Sequence, residues 1–288
     1  MYAVYNYKAG STQAQVLSDI VAIATGTTNV SSLSASCVQA NTSIISTVAA
    51  GWTVHDAAAG ANAQVIRCLN NDGTTYKYAY VSLPSSTGVS ITGPESWNAS
   101  THAATNNTTA STASWDMASG GYFYLYVTPR NFIMMSWTVS GYQPALGVLE
   151  YSRDLITATS YPCHAVLYGT LMTLFTVYLP RMKNVSSAGD SLNMAVSNGA
   201  IKAEMGNYSG SSSIYTASTV FRDSTEALNA LVYKIGITNN TFHYGTYYEV
   251  LTSGFGLGNS LDEVTFSGTT YVIFKRTAQD ACLLIPKA

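Results

Sequence analysis

The sequence predicts a mainly β protein, a β-sandwich or jelly-roll-like domain or domains with a short N-terminal helix. Three observations carry that expectation. Charged residues make up only 10% of the 288 residues, against about 25% in an average globular chain, and hydroxyls take their place, with 34 Ser, 34 Thr and 21 Tyr. Exposed helix faces are usually dressed in Glu, Lys and Arg, whereas Thr, Tyr and Val suit a half-buried pleated surface. Short stretches of two-residue apolar alternation recur between Gly, Asn and Ser clusters, the punctuation of a sandwich or barrel. The apolar fraction of 47% supplies a core and argues against disorder, which goes with low hydrophobicity and high charge.

One segment is helical. Thr12 and Gln15 have capping-box spacing, Val16, Ile20 and Ile23 recur at helical intervals with Leu17 and Val21 widening the stripe, and Gly26 ends it. This predicts an amphipathic helix over residues 12–25, packed on its own domain or, as the alternative, docked on another subunit. Residues 29–50 are small and polar, with isolated Val30, Leu33, Val38, Ile44 and Ile45, and read as an extended, partly strand-forming connection.

The clearest hairpin follows. Residues 64–69 alternate, Asn70-Asn71-Asp72-Gly73 supplies the turn, and residues 74–83 alternate again, placing Tyr76, Tyr78 and Tyr80 on one face. Residues 98–114 are low in complexity and read as a surface loop or an excursion of the β domain. In a second hairpin, strands over 122–127 and 132–139 meet around Pro129 and Arg130. Tyr122, Tyr124 and Tyr126 share one face of it, and Phe123, Leu125 and Val127 the other. Further strands are expected over 147–151, 228–237, 246–251, 269–275 and 282–285, with a boundary near 152–161. The organisation is then a helical segment over 1–28, a β-rich domain over 29–160, and over 161–288 a second β-rich domain or the second half of the same sandwich. No internal repeat points to a propeller or solenoid.

Few residues suggest chemistry. His55-Asp56 would point to opposite faces of a strand, so a base and its orienting acid would need an Asp from elsewhere. Cys163-His164 raises the question of a thiol nucleophile, but adjacency again separates the pair and the apolar run over 165–179 suggests burial. Glu150 lies in an apolar strand and Asp262-Glu263 in a polar turn, neither with a second carboxylate close by for glycoside hydrolysis. The run Gly254 to Asn259 has glycines but neither the strand–helix context nor the ending of a phosphate loop. Cys37, Cys68, Cys163 and Cys282 are scattered without metal-ligand spacing and read as buried thiols. No catalytic residue, metal or cofactor is expected.

A net charge of -2 from 13 basic and 15 acidic residues gives no electrostatic footprint for nucleic acid or an anionic membrane. The run over 165–179 is broken by three threonines and is too short to span a bilayer. The N-terminal residues lack the pattern of a secretory signal. The two tyrosine rows are the strongest functional feature, because rigid aromatic area suits a protein interface, a sugar-stacking surface or a sandwich core.

The order of TTNVSSLS, GWTVHDAAAG, NDGTTYKYAYV, ESWNAST, YFYLYVTPRNFIMMSW, GVLEYSRD and the C-terminal GTTYVIFKRTAQDACLLIPKA resembles uncharacterised virion structural proteins of tailed bacteriophages. The likeness covers most of the chain through diffuse patterns. It implies a subunit of tail, baseplate, neck or capsid surface, made in the host cytoplasm and working in the virion. Its expected partners are other virion proteins and copies of itself, without nucleic acid or membrane insertion. Tyr76, Tyr78, Tyr80, Tyr122, Tyr124 and Tyr126 are the interface candidates. A capsid decoration protein, or a receptor- or glycan-binding tail-fibre module that meets host-surface glycan, is the alternative. A hydrolase of envelope polysaccharide comes third, for want of a carboxylate pair.

Overall fold

The computed structural model describes residues 1–26, 29–45, 50–105, 107, 111–150, 164–169, 174–179, 190–197, 200–203, 229–237, 241–253, 258–277 and 282–287. The chain begins with β1 (Tyr2–Tyr7), α1 (Gln13–Ala24), a 3-10 turn (Val30–Ser32) and β2 (Ser43–Ile45). Then come β3 (Thr53–Gly60), β4 (Ala63–Leu69), β5 (Tyr76–Ser82), β6 (Gly88–Thr92), β7 (Ser96–Asn98), β8 (Ala103–Thr105) and β9 (Ser111–Ser114). Next are β10 (Gly121–Val127), β11 (Asn131–Thr138), β12 (Gly141–Tyr142), β13 (Leu146–Glu150), β14 (His164–Gly169), β15 (Leu174–Leu179), β16 (Asp190–Ser197) and β17 (Ala200–Ala203). The last are β18 (Asn229–Ile237), β19 (Thr241–Ser253), β20 (Glu263–Phe266), β21 (Thr269–Phe274) and β22 (Cys282–Pro286). Strands dominate the described residues and α1 is the one α-helix among them, so the protein is mainly β and sandwich-like.

The largest sheet runs β17-β16-β15-β14-β13-β11-β10-β1-β2, with β12 beside β11. It continues from β13 into β14, across position 161; residues 151–163, where the boundary was expected, lie outside the described residues. A second sheet runs β3-β4-β5-β6-β9, a third β18-β19-β22-β21-β20, and β7 and β8 form a small hairpin. Every pairing is antiparallel among the described residues.

The main sheet is covered on both faces where β1 meets β10. Ala3, Tyr5 and Tyr7 lie opposite Leu125, Phe123 and Gly121, and on that face they join one core with Val16, Leu17, Ile20 and Ile23 of α1 and Ile66, Ala79, Val81 and Ile91 of the second sheet. The helix forms there because its N-terminus is capped. Thr12 Oγ1 accepts from the Gln15 backbone N–H, while Gln15 Oε1 accepts from the Thr12 N–H. The expected helix and its packing on its own domain are present.

On the other face Tyr2 and Val4 lie opposite Tyr126 and Tyr124. There Tyr2 meets Phe274 of the third sheet at 6.3 Å between ring centroids. Glu249 of β19 accepts from Thr128 Oγ1 at 2.7 Å and from the Tyr126 hydroxyl at 3.4 Å. Gly120, at φ +75°, immediately precedes β10 and lies so close to β1 that a Cβ would sit 2.7 Å from the Tyr7 carbonyl oxygen, a place for glycine alone.

Several local expectations change. Of the two readings of the low-complexity stretch over 98–114, the excursion of the β domain fits: it contains β8 and β9, of which β9 joins the second sheet, between buried Trp97 and Trp115. Glu263 begins β20 instead of sitting in a turn. β1 itself went unread in the sequence.

A buried ion pair locks the second sheet to the main one. Lys77 Nζ lies 2.8 Å from Glu150 Oε2, with side chains 0% and 2% exposed. Lys77 also donates to the Leu69 carbonyl at 3.0 Å, and Glu150 Oε1 accepts from the Asn71 N–H at 2.7 Å. Removing one buried partner strands the other charge, which typically costs about 3–5 kcal/mol, whereas replacing both with apolar groups is often neutral. Lys77→Ala is therefore expected to lower unfolding free energy by about 3–5 kcal/mol, and Lys77→Met combined with Glu150→Leu to recover most of it. Denaturant melts of the two variants check this.

Candidate functional site

The described residues form one polar cluster that opens on a cleft. It is built where β3, β5 and β6 meet the β7–β8 hairpin. β3 shifts register against β4 between Val54 and Asp56. Such a bulge re-aims side chains, and here it brings both His55 and Asp56 to the hairpin. His55 Nε2 lies 3.2 Å from the Trp97 carbonyl oxygen, and Asp56 Oδ2 accepts from Trp97 Nε1–H at 2.7 Å. The expectation that a regular strand sends the pair to opposite faces is corrected by that bulge.

The partner of Asp56 is His102, whose Nδ1 lies 2.8 Å from Asp56 Oδ2. The Asp56 side chain is 4% exposed and that of His102 46%. Burial pushes the Asp56 carboxyl up, but hydrogen bonds from His102, Trp97 and the Ala58 N–H outweigh it and leave the group below the ordinary carboxylate range. An ionised carboxylate only accepts, so His102 donates from Nδ1 and, when neutral, has an acceptor lone pair at Nε2. The tautomer follows from Asp56.

His102 closes the hairpin at φ +51°, a left-handed conformation that costs a non-glycine residue about 1 kcal/mol or more. Asn98 Oδ1 braces the same turn by accepting from the Ser100 and Thr101 N–H groups. An aspartate orienting an imidazole is also half of a nucleophile-activating triad. Among the described residues no serine hydroxyl is hydrogen-bonded to Nε2, so the arrangement presents an oriented acceptor.

The adjoining cleft has a volume of about 550 Å³. Tyr80 and Trp97 supply its aromatic wall, with ring centroids 5.4 Å apart. Ser90, Thr92, Asn107 and Thr112 also line it, and the described lining contains no Lys, Arg, Asp or Glu. Two buried polar atoms here, Thr92 Oγ1 and Asn107 Oδ1, have no hydrogen-bond partner. A buried group left so costs about 1–3 kcal/mol.

The six tyrosines divide. Tyr124 and Tyr126 are 6% and 3% exposed, buried within the chain, and burial raises both phenol pKa values. Tyr122 is half-buried, stacks on Tyr124 at 6.0 Å and accepts from Asn41 Nδ2 at 3.1 Å. Tyr78 is buried against His55, Tyr80 is half-buried against Trp97, and Tyr76 is exposed beneath the Arg67 guanidinium.

The other candidates have structural partners or fall outside the description. Glu150 belongs to the buried ion pair. Cys37, Cys68 and Cys282 are buried, and burial pushes the Cys37 and Cys68 thiols up, away from reactivity. Cys163, the His164 side chain and residues 254–257 lie outside the described residues. No group of three or more His, Cys, Asp or Glu is placed to hold a metal among the described residues, and no described helix is long and apolar enough to cross a membrane. No protein-family model matches the chain, and no curated protein matches its sequence.

Sequence reasoning missed the Asp56–His102 pair because its members are 46 positions apart and join only through the bulge and the hairpin. The available signal was Trp97, a large apolar residue at the head of a polar stretch.

The depressed Asp56 pKa fixes a sign. Its stabilising contribution is complete above the ordinary carboxylate pKa and is lost as pH falls through the depressed value. Asp56→Asn is expected to be less stable than the native chain at pH 7 by about 1–3 kcal/mol, with the gap closing below about pH 4. Denaturant melts at the two pH values read it, and an unchanged gap at acid pH rejects the ionised form as the one held.

Proposed function

We propose that this chain is a structural subunit of a tailed-bacteriophage particle, a part of its tail, baseplate, neck or capsid surface that works by assembling with other virion proteins and copies of itself. The particle half of the reading rests on the sequence resemblance. The assembly half rests on where exposed apolar side chains sit. Ile45, Val54 and Phe266 are 38%, 45% and 49% exposed, and each lies on a strand at the rim of its sheet: β2, β3 and β20.

An edge strand offers unpaired backbone groups to another chain, and soluble monomers usually blunt such edges with charge, proline or bulges. β3 carries bulges. β2 shows none in its pairing with β1, and β20 none in its pairing with β21. Exposed Tyr76 and half-buried Tyr122 add aromatic area. β20 carries exposed Glu263, paired with Lys287, whereas β2 carries no charged residue.

Ile45→Lys and Phe266→Lys place a charge on an exposed edge without touching the core. Both variants are expected to fold with unchanged melting temperature but to lose self-association in sedimentation and incorporation into particles. Because little charge is involved, native association should change less than about tenfold between low and high salt. A native chain that stays monomeric at high concentration and is missing from purified particles would overturn the proposal.

A further inference from the structure

We infer that the cleft between the second sheet and the β7–β8 hairpin binds a neutral pyranose sugar. Its volume of about 550 Å³ lies within the roughly 300–1,000 Å³ of small-molecule sites. A pyranose has one face of C–H groups and a rim of hydroxyls, and the cleft matches both. The ring of Tyr80, packed against Trp97, gives a flat apolar wall, and such rings stack on sugar faces while their polar tips keep partners.

The polar side is short of partners. Thr92, 5% exposed, has a hydroxyl without a partner, and Asn107 Oδ1 also lacks one. When neutral, His102, with Nδ1 committed to Asp56, has an acceptor at Nε2. Thr92 Oγ1 can donate or accept, while Asn107 Oδ1 and a neutral His102 Nε2 accept, so the cavity calls for a ligand that both donates and accepts, as a polyol ring does. The described lining residues also carry no fixed charge with which to repay desolvation of a phosphate, a sugar acid or a metal cation.

The site goes beyond the assembly reading and uses a different surface, so it is tested on the isolated full-length chain. Methyl glycosides of glucose, galactose, mannose and N-acetylglucosamine serve as probes, followed by saturation-transfer NMR and by titration. At least one is expected to bind saturably in the millimolar range, with transfer strongest to the C–H face of the ring.

Thr92→Val keeps the shape of the side chain and removes the hydroxyl. Binding should weaken by about three- to tenfold, while the melting temperature holds or rises because an unpartnered group has gone. Asn107→Ala should weaken binding in the same way. Absence of saturable binding by all four glycosides overturns the proposal. So does a Thr92→Val protein that melts lower yet binds as before, since the hydroxyl would then serve the fold alone. Inorganic phosphate competing as well as the glycosides would overturn the claim of neutrality.

Discussion

The structure depends on a strand pair that is apolar on both faces. In β1 and β10 successive side chains leave in opposite directions, and both faces are covered except at Val4 and Tyr122, which are half-buried. Tyr5, Phe123 and Leu125 enter the core shared with α1 and the second sheet, while Tyr2, Tyr124 and Tyr126 are buried on the side where Phe274 and Glu249 approach. A one-residue slip would exchange the two sets. Phe123 would then have to fit where Tyr122 or Tyr124 sits, and a tyrosine would bring its hydroxyl among Val16, Ile20 and Ile23. The buried polar partners resist that exchange. Tyr5 donates to Asp19 Oδ2 of α1 at 2.7 Å, and the Ser34 N–H satisfies Asp19 Oδ1 at 2.8 Å.

The tyrosine rows therefore serve more than one end. A tyrosine gives a sheet the area of phenylalanine with a hydrogen bond at its tip. In β10 that combination lets two sheets meet without leaving the phenol oxygen of Tyr126 unpaired. In β5 the row turns outward from the core, where Tyr78 packs on His55 and Tyr80 on Trp97, so the same residue type builds the rim of a cleft. Which role a row takes depends on what the rest of the chain lays over it.

Where pattern and local chemistry agree, the sequence could be read. The Thr12–Gln15 box specifies α1, and Asn70 to Gly73 specifies the turn between β4 and β5, closed by the Gly73 N–H bonded to the Asn70 carbonyl oxygen at 2.9 Å. β1 escaped because YAVYNY is short and nearly continuous in bulky residues, as a doubly covered strand must be, and so shows no polar face to alternate with. Lys77 was a missed clue. It shares parity with Ala79 and Val81, both fully buried, so its charge had to be met inside the protein, and Glu150 in its apolar strand was the complementary anomaly. The cleft was legible only as fragments, since His55, Asp56, Trp97 and His102 meet through a bulge and a left-handed turn that no short window reveals.

The third sheet carries a consequence for how the protein is made. β22, late in the sequence, lies between β19 and β21, so that layer cannot close until residues 282–286 have left the ribosome. β1, by contrast, finds β10 and β2 far earlier, and the core around α1 can form while synthesis continues. The nascent chain thus passes through a stage in which one aromatic face of its main sheet is already built and still lacks its cover. Long-range strand pairing is slow, and exposed strands invite association. During that interval neighbouring nascent chains can reach Tyr124 and Tyr126, a surface that the finished subunit conceals.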